Sequence, residues 1–278
     1  MKKELNKVIY TEGKRPIVYD VYYKENHTPK PVVIFCHGYK GFKDWGAWYM
    51  AAEKFAEAGF FFLKFNFSHN GGTVEQPIDF PDLKAFSENT YTKELDDVQR
   101  VLNKLNEYRN EADSDKIHII GHSRGGGLAL LAAELHKNII KTATWAGVSD
   151  FAIRFQEGTE AFKHWKETGM TYVENARTKQ QLPHKFSFYE DFAKHREAYS
   201  IERAVRNTDK PLLIIQGTND MAVPMAEAEN INKWAPRATL HIINGADHVF
   251  QTKHPWDESK LPNEMLEVIN ETISFFKK

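Results

Sequence analysis

Near its centre the chain carries Gly121-His122-Ser123-Arg124-Gly125, a serine with a glycine two residues to either side. The run before it, Lys116-Ile117-His118-Ile119-Ile120, is rich in β-branched residues and reads as a strand. The run after it, Gly125 to His136, is small and apolar, with Leu128 to Ala133 almost wholly so, and reads as a helix. A strand passing straight into a helix leaves the serine on a tight, strained turn, its hydroxyl above the sheet edge. The glycines fall where a Cβ would collide with the neighbouring strand or helix. A chain built around this turn needs a buried strand with a helix packed upon it.

The rest of the sequence supplies the same alternation. Pro16 to Tyr23, Pro31 to Cys36, Phe60 to Phe67, Ile139 to Ala146, Pro211 to Gln216 and Ala238 to Ile243 read as strands. The continuous apolar run Pro31-Val32-Val33-Ile34-Phe35-Cys36 suits a parallel strand covered on both faces. Gly46 to Glu57, Tyr91 to Tyr108, Met225 to Trp234 and Pro262 to Phe276 read as helices; Leu95, Val98, Val101, Leu102 and Leu105 share one face. Alternating strands and helices predict an α/β fold. The rhythm breaks between Ser149 and Asp209, where charges and scattered aromatics replace it. That stretch is expected to be a mostly helical cap, with residues 1–148 and 210–278 forming the core.

A serine hydroxyl is a weak nucleophile until a base takes its proton and an acid orients the base. In this setting the chain order is serine, then acid, then histidine. Two later strands end in such residues: Leu213-Ile214-Ile215-Gln216-Gly217-Thr218-Asn219-Asp220 and Ile242-Ile243-Asn244-Gly245-Ala246-Asp247-His248. Both residues lie just past strand C-termini, where open α/β sheets bind ligands. Ser123, Asp220 and His248 are therefore the candidate catalytic residues. Asp150, after the strand preceding the insertion, is the competing acid. Asp247 is too close in sequence to orient its neighbour. Acyl transfer also needs donors for a developing oxyanion. The candidates are the backbone N–H of Arg124 and, in the glycine-bearing loop His37-Gly38-Tyr39-Lys40-Gly41, that of Tyr39.

Composition removes competing classes. With 37 Lys+Arg against 38 Asp+Glu the charge is nearly balanced, so no nucleic-acid partner is expected. A single cysteine, Cys36, permits neither an internal disulfide nor a cysteine-based zinc site. It is also no thiol nucleophile for His37, since adjacent strand residues face opposite ways. The twelve histidines contain no H-E-x-x-H pattern, and no metal or cofactor is expected. The longest strongly apolar stretch, Gly59 to Leu63, is far short of a membrane span. The N-terminus has no apolar signal core, so a cytoplasmic location is expected, although removal of a leader would look the same.

On these residues the chain resembles the α/β-hydrolase superfamily and, within it, bacterial cinnamoyl/feruloyl esterases and dienelactone-hydrolase-like or acylaminoacyl-peptidase-like serine hydrolases. The matching pieces are His37-Gly38-Tyr39, Phe65-Asn66-Phe67, Gly121-His122-Ser123, Gly217-Thr218-Asn219-Asp220 and Thr239 to His248. The chain departs from those esterases at Asn66 to Gly72, and at Arg124, where they often carry glutamine. The resemblance implies a mostly parallel, eight-stranded, doubly wound sheet with a helical cap. It also implies a small carboxylic ester substrate, with an aromatic or hydroxycinnamoyl acid part as one option. An aminoacyl or short-peptide peptidase and a non-catalytic ligand-binding protein stay open as alternatives, as does a homodimer.

Overall fold

The computed structural model describes residues 1–278. Ten strands and nine α-helices follow in the order β1 (Lys2–Ile9), β2 (Ile17–Tyr23), β3 (Lys30–Cys36), α1 (Trp48–Glu57), β4 (Phe61–Phe65), α2 (Leu83–Ser87), α3 (Tyr91–Lys104), β5 (Ala112–His122), α4 (Arg124–Leu135), β6 (Ile139–Trp145), α5 (Glu160–Thr168), β7 (Met170–Glu174), β8 (Gln181–Lys185), α6 (Ser187–Lys194), α7 (Ile201–Arg206), β9 (Leu212–Gly217), α8 (Met225–Trp234), β10 (Thr239–Ile243) and α9 (Asn263–Lys277). Eight strands form one sheet in the order β1-β2-β4-β3-β5-β6-β9-β10. The β1–β2 and β2–β4 pairs are antiparallel, and every pair from β4 to β10 is parallel.

Alternation along each strand divides the core in two. Val32, Ile34 and Cys36 of β3 join the larger cluster, with Val98 of α3, Leu128 of α4 and Ile231 of α8. Val33 and Phe35 face the other way, onto Trp48 and Phe55 of α1 and Val268 of α9. Helices thus cover both faces, as a sheet of continuous apolar strands requires. No helix is long and apolar enough to cross a membrane.

One charged cluster sits inside this frame. Asp20 of β2 lies opposite Lys64 of β4, and both are buried. Lys64 Nζ donates to Asp20 at 2.5 Å, and Lys43 Nζ does so at 2.9 Å, with Asp44 closing the group. Buried charges persist only when paired in this way. Through Lys43, whose N–H also donates to Asn66 Oδ1 at 2.7 Å, the cluster ties the loop after β3 to the sheet.

The segment between β6 and β9 is expected to be mostly helical, and the structure adds a pair of strands to its helices. It holds α5, α6 and α7 but also an antiparallel ribbon, β7 with β8. Its aromatics continue the main core. Phe151, Phe155, Trp165, Phe192 and Tyr199 belong to that cluster, and Phe162, Phe186 and Tyr189 pack against it, Phe162 edge to face on Trp165, Phe186 and Tyr189.

Candidate active site

Four loops at the C-terminal ends of β3, β5, β9 and β10 bring the predicted residues to one rim. β5 ends at His122, and Ser123 caps α4 with φ 56° and ψ −123°. A non-glycine residue held there stores on the order of 1–3 kcal/mol of strain. Its surroundings enforce the turn: Ser123 N–H donates to Trp145 O at 3.0 Å, and Ser123 O accepts from Gly126 and Val148 N–H at 2.9 and 3.1 Å. A Cβ on Gly121 would lie 2.1 Å from Gly125 O, and one on Gly125 would lie 2.3 Å from Cys36 O. Both contacts are to backbone, so neither position admits a side chain.

The loop after β3 lies against this turn. A Cβ on Gly38 would lie 2.8 Å from Ser123 Cβ, an approach open to glycine alone. His37 braces the loop from within: Nδ1–H donates to Gly38 O at 2.9 Å, and Nε2 accepts from Phe67 N–H at 3.2 Å. Burial pushes its pKa down to about 4, so this neutral tautomer persists. Arg124 opens α4, where backbone N–H groups have no partner within the helix. Tyr39 follows Gly38. The two proposed oxyanion donors thus come from segments on either side of Ser123.

His248 Nδ1 lies 2.8 Å from Asp220 Oδ2. Asp220 gathers more donors: Gln216 Nε2 at 3.0 Å on Oδ2, and the Ala222 and Val223 N–H groups at 2.8 Å each on Oδ1. Burial alone would raise its pKa, but the His248 bond and those N–H groups outweigh it and hold the carboxyl below its ordinary value. His248 is set beside the turn through His122, whose Nε2–H donates to His248 O at 2.9 Å and whose ring centroid is 4.8 Å away. Burial pushes the His122 pKa down to about 3, so its imidazole stays neutral. No hydrogen bond joins Ser123 Oγ to His248 Nε2; such contacts commonly tighten only when substrate binds. The other two acids point elsewhere. Asp150 Oδ1 accepts from Ala152 N–H at 2.7 Å, and Asp247 Oδ1 from Val249 and Gln251 N–H at 3.0 and 2.8 Å.

A pocket opens beside the turn. Gly38, Tyr39, Asn89 and Arg124 of the core line it together with His184 and Phe188 of the insertion. Tyr39 Oη and His184 Nε2, 2.7 Å apart, join the two sides. The Arg124 guanidinium lies 5.1 Å from the Tyr39 ring centroid and donates at 2.5 Å to Glu94, a carboxylate that is 1% exposed and also takes a bond from Asn89 Nδ2 at 2.8 Å. Sequence reasoning missed Gln216, Asn89, Glu94 and His184. A glutamine closing the apolar run Leu212–Ile215 was a readable signal, as was a glutamate beside the apolar stripe of α3.

A sequence profile of the alpha/beta hydrolase fold matches residues 31–190. The 2-hydroxymuconate semialdehyde hydrolase of Pseudomonas sp. (strain CF600) is 23% identical over 164 residues, 50% of this chain; the match spans only 58% of that relative's length. Est1E from Butyrivibrio proteoclasticus superposes with a TM-score of 0.71 at 19% identity, covering 98% of this chain and 99% of the other. Est1E with ferulic acid bound gives 0.70 at 21% identity, covering 98% and 97%. The alpha/beta hydrolase GrgF from Penicillium sp. sh18 gives 0.73 at 14% identity, covering 100% and 98%. At these identities the structural likenesses speak for the fold.

Proposed function

The chain belongs to the alpha/beta hydrolase fold family, and from that premise we propose that it is a serine esterase acting on small carboxylic esters. His248 Nε2 takes the proton of Ser123 Oγ as the oxygen attacks the ester carbonyl. Asp220 holds the imidazole in the productive tautomer and stabilises the imidazolium. The N–H groups of Tyr39 and Arg124 receive the oxyanion. His248 then gives its proton to the leaving alcohol, and an acyl-Ser123 remains. Water, activated by the same histidine, hydrolyses it. Residues 149–209 act as the cap that shapes the acid side of the site over a core of residues 1–148 and 210–278.

The observation carrying this reading is the 2.8 Å contact between His248 Nδ1 and Asp220 Oδ2, beside a serine on a glycine-flanked turn at positive φ. A structural histidine would not require an acid so fully supplied with donors, nor a strained serine next to it. The test is a panel of p-nitrophenyl esters of increasing acyl length, methyl ferulate, and matched p-nitroanilides. Esters are expected to turn over at least about a hundredfold faster than the anilides. Anilide hydrolysis at a matching rate would replace the esterase with a peptidase, and no turnover of any ester would remove the reading.

A further inference from the structure

The pocket beside Ser123 is almost filled. Its cavity measures about 10 Å³, room for one water. The Arg124 side chain, 14% exposed, stands in its wall. The guanidinium lies 5.1 Å from the Tyr39 ring centroid and 5.9 Å from that of Phe188, within reach of cation–π attraction to both. Glu94, buried, accepts from it at 2.5 Å. Glu94 depends on Arg124 in turn: its other donor is Asn89 Nδ2, and its Oε2 has no partner. Swinging the guanidinium aside would strand a buried carboxylate and break both ring contacts. The rest of the wall is tied as well. Tyr39 Oη and His184 Nε2 are 2.7 Å apart, and His184 packs edge to face on Phe86 with centroids 5.2 Å apart. The pocket is therefore held small by groups that hold one another.

The position of the pocket says which part of a substrate meets this wall. In the proposed mechanism the carbonyl oxygen turns to the Tyr39 and Arg124 N–H groups, and the leaving alcohol must collect its proton from His248. The acyl chain takes the remaining direction. Gly38, Tyr39 and Arg124 line the pocket, and no residue of the His248 or Asp220 loops does, so the pocket receives the acid side. A space for one water holds about a methyl group; each further methylene must displace packed side chains.

We propose that the preferred substrates are acetate esters, and that the Arg124 side chain, anchored by Glu94, sets this limit on the acid part. This rests on the serine-esterase reading above and names its substrate class, closing the site to hydroxycinnamoyl groups. The Arg124 backbone N–H serves the oxyanion, whereas its side chain decides which acid is accepted.

The experiment measures kcat/KM for p-nitrophenyl acetate, butyrate and cinnamate, each corrected for spontaneous hydrolysis. Acetate over butyrate is expected at about a hundredfold or more, from two methylenes that do not fit, and cinnamate slower still. Arg124→Gln shortens the wall; burial already pushes the Glu94 pKa up, so without the guanidinium its carboxyl takes a proton and the fold is spared. The acetate-to-butyrate ratio should fall at least tenfold in that variant, whatever happens to its absolute rates. Where Arg124→Gln fails to fold, Phe188→Ala removes a ring against the same guanidinium and should lower the ratio likewise. Native butyrate or cinnamate turnover equal to that of acetate, or a ratio unmoved in the folded variant, overturns the acetyl limit while leaving the esterase standing. Failure to cleave any of the three esters overturns both.

Discussion

Four donors converge on Asp220, and that convergence separates it from Asp150. Asp220→Asn keeps the shape but presents an amide to Nδ1, so the imidazole loses its productive tautomer. The expected loss is on the order of 10⁴ in kcat, the size seen for the same change in the serine-protease triad. Asp150→Asn keeps an oxygen that accepts from Ala152 N–H, as Asp150 Oδ1 does at 2.7 Å, so it should change neither kcat nor stability appreciably. Steady-state kinetics of the two variants check this; a crippled Asp150→Asn beside a near-normal Asp220→Asn would move the acid to the strand before the insertion. Ser123, Asp220 and His248 were legible in the sequence because each sits where an apolar run ends in a glycine-bearing turn. Gln216 and Glu94 were marked but their roles were not legible, because folding sets their partners: Gln216 reaches Asp220, four residues on, only once the turn forms, and Glu94 meets Arg124 across two helices. Their only local mark was polarity beside apolar neighbours.

At the scale of elements, the parallel strands were legible because burial on both faces leaves continuous apolar runs, whereas the edges were not. β1 reads Lys2-Lys3-Glu4-Leu5-Asn6-Lys7-Val8-Ile9, half of it exposed, with charges that blunt an open edge and hide the strand from a hydrophobicity pattern. The β7–β8 ribbon was missed for a related reason. Its ten residues show no alternation of apolar and polar side chains, and Pro183 sits within β8, a residue that argues against a strand unless it lies at an edge. Only pairing with its neighbour holds the ribbon extended. The insertion cannot simply be cut away, since Phe155, Phe192 and Tyr199 belong to the main core. A single change is cleaner. Phe188 lines the pocket from α6, and Phe188→Ala should shift preference toward bulkier acyl groups, with acetate esters still cleaved within about tenfold of the native rate. The readout is kcat/KM across an acyl-length series; an unchanged profile would make the insertion a packing element alone.

For the whole molecule, the buried neutral histidines tie the fold to pH. His37, His122 and His184 have pKa values pushed down to about 4, 3 and 4, burial being the main cause. In the unfolded chain each returns to about 6.5 and binds a proton more readily. The unfolded state therefore gains protons first as pH falls, and stability rises with pH across this range. The contribution is complete above about pH 6.5 and is lost progressively toward pH 4, at about 1.4 kcal/mol per pH unit for each histidine. Thermal unfolding from pH 4 to 8 should show Tm highest near neutrality and falling below about 6.5; a flat Tm down to pH 4 would contradict the buried neutral imidazoles. All three histidines serve the neighbourhood of Ser123, so the stability of the fold and the geometry of the site depend on the same groups. Whether Ser123 is the nucleophile is tested most directly by treating the protein with a fluorophosphonate and locating the adduct by peptide mass spectrometry. One adduct per chain on the peptide containing Ser123, with ester turnover lost in step and labelling slowed by orders of magnitude in His248→Ala, is the expected result. Ester turnover that survives complete labelling of Ser123, or an adduct on another residue with Ser123 unmodified, would contradict it.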